Sequence, residues 1–198
     1  MKKNDFSAAL RALRKAELII YPTDTLYALG ADIYNETAVR KIFDIKQRPY
    51  SIPLPVAVHC VKAIEPLAFM DDTAQRICQR YLPGSLTIIL KKKPKVPDVV
   101  TSCMDTIAIR IPNDPLALKL LEQYGPLTVT SANLHQKTTQ ATIKDILKQL
   151  QTHIDICLDD GKRQNTSSTI INLSTKPPKI VRKGSITDKE LLDVISHG

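Results

Sequence analysis

The chain has 198 residues, of which 43% are hydrophobic and 24% are charged. That length and composition predict one folded domain over residues 1–198 and argue against a disordered chain. The net charge of +8 favours a polyanionic partner such as a nucleotide or tRNA, although a solvated basic surface gives the same charge. No apolar stretch approaches the roughly 20 residues that cross a bilayer, and the start Met1–Asp5 lacks a signal-peptide pattern. We therefore expect a cytoplasmic protein without a membrane partner.

Cysteine and histidine residues are scattered along the chain rather than grouped. They are Cys60, Cys78, Cys103, Cys157, His59, His135, His153 and His197. No Cys-x-x-Cys pair occurs, so neither a zinc site nor a disulfide framework is expected.

Helical and strand-like patterns alternate through the first half of the chain. Apolar residues at helical spacing predict a helix over Phe6–Leu13, and the run Leu18–Tyr21 predicts a buried strand that Pro22 ends. Asn35 is a predicted N-cap for a helix that must end before Pro49. Further strands are predicted at Leu54–Val58, Leu86–Leu90 and Thr106–Ile111, with a helix between the first two that is capped by Asp71 or Asp72.

The second half continues the alternation. A helix is predicted from Asp114-Pro115 to Gly125, because aspartate caps helices and proline suits the first turn. Thr142 and Asp145 form a capping-box pattern ahead of another helix, and a last helix starts near Thr187. The remaining predicted strands are Leu127–Thr130, Ile154–Leu158, Thr169–Leu173 and Lys179–Arg182. The last strands are joined by short turns at Asp159–Gly161 and Pro177-Pro178, which predicts partly antiparallel pairing in one mixed sheet of an α/β domain.

Common nucleotide-binding and hydrolase signatures are missing from the sequence. Gly161-Lys162 lacks the upstream glycine of a phosphate-binding loop, and neither Gly-x-Gly-x-x-Gly nor Gly-x-Ser-x-Gly occurs. A bound nucleotide would have to be held by a different arrangement.

Four polar patterns stand where predicted strands meet loops, the usual place for ligand groups in α/β folds. Tyr21–Gly30 contains closely spaced hydroxyls and one carboxylate, which either bind a small polar ligand or satisfy their own turn. Lys46-Gln47-Arg48-Pro49 places two cations at a helix end, where they bind an anion or complement the helix dipole.

The third pattern, Thr106–Pro112, carries Arg110 inside an apolar strand. A buried guanidinium needs a partner, which is either a structural carboxylate or the carboxylate or phosphate of a ligand. The fourth pattern, Thr128–Asn133, ends a strand with small polar residues and is followed by Thr139. The same combination of strand-end hydroxyls and cations returns at Ser167–Thr169 and Arg182–Gly184.

In their order along the chain, seven elements resemble the Sua5/YrdC family, the threonylcarbamoyl-AMP synthases. The elements are Pro22–Gly30, Lys46–Pro49, Pro83–Thr87, Arg110–Pro112, Ser131–Asn133, Ser168–Ile170 and Arg182–Gly184. The resemblance covers residues 5–190 and implies the short, single-domain form of the family. Its fold would be a twisted, mixed parallel and antiparallel sheet with flanking helices around a basic groove.

The resemblance also implies an activity. Bicarbonate would carboxylate the amine of L-threonine, and the resulting carbamate would attack the α-phosphate of ATP. Threonylcarbamoyl-adenylate and pyrophosphate would form, with Mg²⁺ accompanying ATP. A separate tRNA-modifying transferase would then move the threonylcarbamoyl group to a tRNA adenosine.

Residue roles are implied position by position. Lys46, Arg48 and Arg110 correspond to catalytic cations. The residues implied to bind threonine are Thr23, Thr25, Arg110 and Ser168. The residues implied to bind ATP are Lys46, Arg48, Thr106, Ser131, Asn133, Thr139 and Arg182, and no protein metal ligand is implied.

The sequence departs from the family pattern at several positions, including His135-Gln136 in place of the usual Ser-Gly after Ser131–Asn133. Ala28 replaces the usual glycine of the first motif, a change also seen in a branch resembling YciO. That branch tends to lose the Lys-x-Arg and Ser-Ala-Asn patterns, both of which are kept here. Ile52 and Ala57 stand where longer relatives often have asparagine and histidine, which predicts altered affinity rather than a different reaction.

Two other functions fit parts of the sequence. A module that binds double-stranded RNA or tRNA without chemistry would suit the basic charge, but the aromatic content of 5% and the lack of a recognition signature count against it. A carbamoyl-transfer domain similar to that of hydrogenase-maturation proteins would carry zinc-finger and acylphosphatase domains, which this sequence lacks.

Overall fold

A computed structural model describes residues 2–3, 5–152, 154, 156–163 and 167–196. Within these ranges the chain forms eleven strands and seven α-helices, together with a short 3₁₀ turn at Val61–Ile64. The helices are α1 (Phe6–Arg14), α2 (Glu36–Lys46), α3 (Asp72–Tyr81), α4 (Asp98–Thr101), α5 (Pro115–Tyr124), α6 (Ile143–Leu150) and α7 (Asp188–Ser196). The strands are β1 (Lys2–Lys3), β2 (Ile19–Pro22), β3 (Tyr27–Gly30), β4 (Val56–Ala57), β5 (Leu86–Lys91), β6 (Thr106–Arg110), β7 (Leu127–Thr128), β8 (Thr130–Ser131), β9 (Ile156–Cys157), β10 (Thr169–Asn172) and β11 (Lys179–Arg182).

The predicted helix starts are confirmed by capping hydrogen bonds. The side chain of each of four cap residues accepts a hydrogen bond from a backbone N–H in the first turn: Asn35, Asp71, Asp114 and Thr142. Such caps satisfy N–H groups that the helix itself leaves unpaired. The predicted end of α2 is also confirmed, because Gln47 adopts a left-handed conformation with φ of 50° and Pro49 follows. The helix therefore presents Lys46 in its last turn.

The α/β class and the mixture of parallel and antiparallel pairing are confirmed, whereas the single sheet that was expected is divided into two sheets. Within the described residues, one sheet has the order β1-β9-β2-β3-β8 and the other has the order β11-β10-β5-β6-β4-β7. The antiparallel pairing of β10 with β11 is as predicted. The pairing expected between the strands on either side of Asp159–Gly161 is wrong, because β9 instead lies parallel to β1 and β2.

Two local strand predictions need correction. The strand β3 was not predicted, since the hydroxyl-rich segment before it resembles a loop, yet it pairs antiparallel with β2 as a hairpin. The predicted strand Leu127–Thr130 is two short strands in different sheets, because β7 pairs with β4 and β8 pairs with β3. Asp155, within the predicted strand Ile154–Leu158, lies outside the described residues, as do His153 and His197.

Thr128 explains the change of sheet within this segment. Its Oγ1 donates to Leu29 O at 3.1 Å and accepts from Ala31 N at 2.9 Å, so the side chain is bonded to the β3 segment while the backbone belongs to β7. The next residue, Val129, donates its N–H to Pro55 O at 2.9 Å. The chain thus passes from one sheet to the other over a single residue.

The six-stranded sheet has one face in the core and one face turned to the site. Ile88 and Ile109 belong to the main buried cluster, together with Phe43 of α2 and Ile77 of α3. Because side chains alternate along a strand, the same strands turn other residues to the opposite face. That face is where the polar patterns of the sequence meet. None of the helices in the described ranges is long and apolar enough to span a bilayer.

Candidate active site

A cavity of about 530 Å³ lies where the two sheets meet, a volume within the roughly 300–1,000 Å³ typical of ligand sites. Eight of the eleven residues implied by the resemblance line it: Thr23, Thr25, Arg48, Arg110, Ser131, Thr139, Ser168 and Arg182. The floor is the outer face of β5, β6 and β10, with Thr87, Ile89, Ala108 and Ile170. Among the described residues, no carboxylate lines the cavity.

Arg110 ends β6 at one side of this floor and is 6% exposed. Its Nε donates to Gly84 O at 3.2 Å, its Nη1 to Thr25 Oγ1 at 2.9 Å and its Nη2 to Asp24 Oδ1 at 2.8 Å. Of the two partners that the sequence allowed, the structure contains the carboxylate. Three of the five guanidinium N–H groups are committed to these protein partners, so the side chain is fixed before a ligand arrives.

The turn between β2 and β3 supplies two hydroxyls with different tasks. Thr23 Oγ1 donates to Leu26 O at 2.6 Å and accepts from Leu26 N at 3.1 Å, so this side chain closes its own turn. Thr25 Oγ1 accepts from Arg110 and lies 3.1 Å from Thr23 Oγ1. Thr25 is therefore the hydroxyl that is joined to the buried cation.

A second hydroxyl cluster lies on the opposite side of the floor. Ser168 Oγ lies 2.9 Å from Thr87 Oγ1. Arg182 donates from Nε and Nη2 to Ser168 O at 3.0 and 2.8 Å, and from Nη2 to Ser168 Oγ at 3.0 Å. Gly184 lies against the same backbone, since a Cβ there would be 2.5 Å from Ser167 O and closer still to Ser168 C and Thr169 N. The Arg-x-Gly pattern thus holds Ser168 in place.

Lys46 does not line the cavity, although the resemblance implied a phosphate contact. It is 1% exposed, and its ammonium donates to Ser131 O, to Asn133 O at 2.7 Å and to Asn133 Oδ1 at 3.2 Å. Ser131 Oγ also donates to Asn133 Oδ1 at 2.6 Å, and His135 N donates to Lys46 O at 2.7 Å. The lysine therefore holds the Ser131–Asn133 loop to the end of α2, and Asn133 itself lies behind the lining.

Arg48 and Thr106 occupy contrasting positions. Arg48 lines the cavity and donates from Nε to Ile52 O at 3.0 Å and from Nη2 to Pro53 O at 2.8 Å, which closes the loop after α2. Thr106 lies on the same face of β6 as Arg110, but four residues or roughly 13 Å away along the strand. It pairs with Lys91 and does not line the cavity.

The cations of the site lie in surroundings of low polarity. Burial, and next the charge of Arg48, lower the pKa of Lys46 to about 7. Burial lowers the pKa of Arg48 and of Arg110, and for Arg110 the charge of Asp24 acts in the opposite direction. Burial and then the charge of Arg110 lower the pKa of Arg182. Because these charges are partly desolvated, a bound anion interacts with them more strongly than it would in water.

The groups that position the cations are not identifiable from the sequence alone. In the sequence, Asp24 is one carboxylate among hydroxyls, and Thr87 is the last residue of the element Pro83–Thr87. Tyr27 was noted as part of the first motif, but its hydroxyl donates to Gly161 O at 2.6 Å and so anchors the loop after β9. Asp24, Thr87 and Tyr27 all belong to the seven ordered elements, but membership in an element does not reveal which residues they contact.

Two mixed sheets with an arginine-rich and hydroxyl-rich cavity between them define an α/β protein suited to anionic ligands. Residues 11–184 match the family model for the Sua5/YciO/YrdC domain, whose description is "Telomere recombination". The chain belongs to this family. It is 39% identical over 182 residues to a putative threonylcarbamoyl-AMP synthase of Methanocaldococcus jannaschii, which covers 91% of this chain and 86% of the relative.

Solved structures of relatives share the fold. A complex of Pyrococcus abyssi Sua5 with L-threonine has a TM-score of 0.91 at 33% identity, covering 96% of this chain and 57% of that chain. Escherichia coli YciO has a TM-score of 0.86 at 30% identity, covering 94% of this chain and 92% of that chain. This chain therefore spans little more than half the length of the Pyrococcus protein and nearly the whole of YciO.

Proposed function

We propose that this chain is a threonylcarbamoyl-AMP synthase, which forms threonylcarbamoyl-adenylate and pyrophosphate from L-threonine, bicarbonate and ATP. The observation that carries the proposal is one cavity that joins Arg48, Arg110 and Arg182 with several hydroxyls. Each of the three substrates has an anionic group, so a site that holds them together needs fixed cations. Relatives named threonylcarbamoyl-AMP synthase support the proposal, and so does the L-threonine complex of the Pyrococcus protein.

The threonine subsite is assigned to the Arg110 side of the cavity. The free N–H groups of Arg110 suit a carboxylate, because a guanidinium fork matches its two oxygens. Thr25 would help to fix the substrate, while Thr23 holds the turn that carries Thr25. Ser168, which is buried and faces Thr87, would contact the opposite side of the amino acid.

The ATP subsite is assigned to the Arg48 and Ser131 side. Arg48 is the lining cation on this side, with Ser131 and Thr139 as lining hydroxyls. Arg182, which also holds Ser168, would reach the phosphate oxygens from the boundary between the two subsites. Lys46 and Asn133 would act one layer back, by fixing the Ser131–Asn133 loop. Thr106, which lies outside the cavity lining, receives no role in this assignment.

The reaction needs positioning more than a protein nucleophile. Bicarbonate and the threonine amine give a carbamate and water, and a carbamate oxygen then attacks the α-phosphorus as the bond to pyrophosphate breaks. Charge builds on the phosphate oxygens during the attack, where fixed cations stabilise it. Arg48 and Arg182 supply such charge on the nucleotide side, while Arg110 holds the amino acid in place.

Magnesium would enter with ATP as part of the substrate. Within the described residues, no group of three or more His, Cys, Asp or Glu side chains could hold a metal ion. Mg²⁺ favours phosphate and water oxygens with few protein ligands, so the residues present fit delivery of the ion by the nucleotide.

The product would pass to a tRNA-modifying threonylcarbamoyl transferase. An acyl-adenylate is a mixed anhydride and an activated acyl donor, so an acyl-transfer enzyme is the class that consumes it. The proposed location is the cytoplasm, where ATP and tRNA occur together. Direct binding of tRNA by this chain is part of the same proposal.

Pyrophosphate release from ATP tests the function directly. We expect release that requires both L-threonine and bicarbonate, with threonylcarbamoyl-adenylate as the second product by mass spectrometry. Pyrophosphate release that does not depend on L-threonine would indicate a different acceptor or a hydrolase. Salt-dependent binding of double-stranded RNA without pyrophosphate release would instead favour the binding-module alternative.

A further inference from the structure

The three arginines of the cavity differ in one respect. Arg110 forms an ion pair with Asp24, at 2.8 Å between Nη2 and Oδ1, and the two side chains are 7% and 15% exposed. Arg48 and Arg182 donate only to backbone carbonyls and a serine hydroxyl within the described part of the chain. Among the described residues, one of three similar cations thus has its charge balanced by a carboxylate, and the other two do not.

Asp24 is held firmly for this purpose. Its Oδ1 accepts from Arg110 Nη2 and from Asn113 N at 3.1 Å, and its Oδ2 accepts from Ser85 Oγ at 3.0 Å. The carboxylate lies behind Arg110 and Thr25 and is not part of the cavity lining. A ligand would therefore feel the charge of Asp24 without contacting it.

We infer that Asp24 is a specificity-determining residue that lets the Arg110 subsite accept an amino-acid carboxylate and refuse phosphate. The inference rests on the proposed function, in which an amino acid and a triphosphate share one cavity. An unbalanced arginine would attract the more highly charged anion first. Asp24 cancels that advantage, whereas Arg48 and Arg182 keep their full charge for phosphate.

The sign of the effect depends on the charge of the ligand. An anion on the free N–H groups of Arg110 lies within roughly 5–7 Å of Asp24, from ordinary hydrogen-bond lengths. At that separation two charges near a protein surface change an equilibrium by roughly a hundredfold, which screening by physiological salt reduces toward tenfold. A phosphate dianion suffers this repulsion twice. A zwitterionic amino acid has an ammonium group that offsets much of it, so phosphate is disfavoured relative to the amino acid.

The substitution Asp24→Asn isolates the charge from the geometry. Asparagine Oδ1 can still accept from Arg110 and Asn113 N, and its amide can donate to Ser85 Oγ. We expect the affinity of the free protein for inorganic phosphate, measured by isothermal titration, to rise at least about tenfold in D24N. Phosphate should also become a competitive inhibitor against threonine in D24N, while the threonine KM changes by a smaller factor.

Two matched variants serve as controls. Ser85→Ala removes a hydrogen bond to Asp24 but keeps the carboxylate, so its phosphate affinity should remain that of the wild type. Asp98→Asn makes the same change in net charge at a side chain that is 71% exposed and pairs with Lys92 outside the cavity. It should also leave phosphate affinity unchanged.

Equal phosphate affinity in D24N and wild type would overturn the inference, as would an equal gain in D98N. Absence of threonine-dependent pyrophosphate release in the wild type would refute the proposed function alone. The phosphate titration requires no turnover, and therefore still upholds or overturns the role of Asp24 in that case.

Discussion

Gly184→Ala tests whether backbone spacing next to Ser168 sets the geometry of the site. A Cβ at position 184 would lie 2.5 Å from Ser167 O and closer still to Ser168 C and Thr169 N. Ordinary contact for a Cβ begins at 3.4 Å, so the two segments must separate by about 1 Å. Each of these neighbours is backbone, which cannot rotate away as a side chain could.

The expected consequences are separate for stability and for activity. Overpacking of this kind costs about 1–3 kcal/mol of the free energy of unfolding, which a domain of this size can tolerate. A displacement of about 1 Å in a positioning group can lower a rate by about 10²-fold. We therefore expect kcat/KM for threonine to fall by about that factor, because Ser168 moves away from Thr87 and Arg182.

The assay combines pyrophosphate release with urea unfolding. Gly125→Ala is the control, since Gly125 has a φ of 117° and a Cβ there would meet nothing within 4 Å. It should lower the free energy of unfolding through backbone strain while leaving the threonine KM unchanged. Full threonine-dependent activity in a folded Gly184→Ala protein would refute the view that this close approach positions Ser168.

The remaining predictions concern the cations and the far end of β6. Arg110→Ala should raise the threonine KM by about 30-fold or more, because a charge-assisted pair is lost and Asp24 is left without its partner; an unchanged KM would remove Arg110 from the threonine subsite. Lys46→Met should raise the ATP KM, since three buried oxygens lose their donor. Between about pH 7 and 10.5 the unfolded chain binds the Lys46 proton more tightly than the folded chain, because the pKa of Lys46 is lowered in the folded state. The free energy of unfolding of the wild type should therefore rise with pH relative to that of Lys46→Met, by up to about 1.4 kcal/mol per pH unit. Parallel pH profiles of the two proteins in urea unfolding would contradict the low pKa. Thr106→Ala should leave the ATP KM unchanged, and a large increase would extend the nucleotide site along β6.

Helices were predictable because their signals are local. Asn35, Asp114 and Thr142 each act within three residues of their own position, so capping can be inferred from short stretches of sequence. Strand pairing depends on distant partners. Nothing near Ile156 indicates that it will lie beside Ile19. The run Leu127–Thr130 has the pattern of a single strand, although its two halves belong to different sheets.

The site shows the same division between local and distant information. The need of Arg110 for a partner follows from its place in an apolar strand, but the identity of Asp24, 86 residues away in sequence, does not. The family resemblance implies a phosphate contact for Lys46, whereas the side chain is buried, which is rare for lysine. Its burial depends on three oxygens of a loop that lies 85–87 residues further along the chain.

The single-residue crossing at Val129 constrains how the site could diversify. It joins the two sheets covalently over one residue, and Thr128 is bonded to both sheets there. The main chain therefore sets the width of the cavity, and single side-chain substitutions can change that width only with difficulty. New ligand preferences would arise more readily by exchanging side chains on fixed walls, as at Ala28 and Ile52, than by spreading the walls apart.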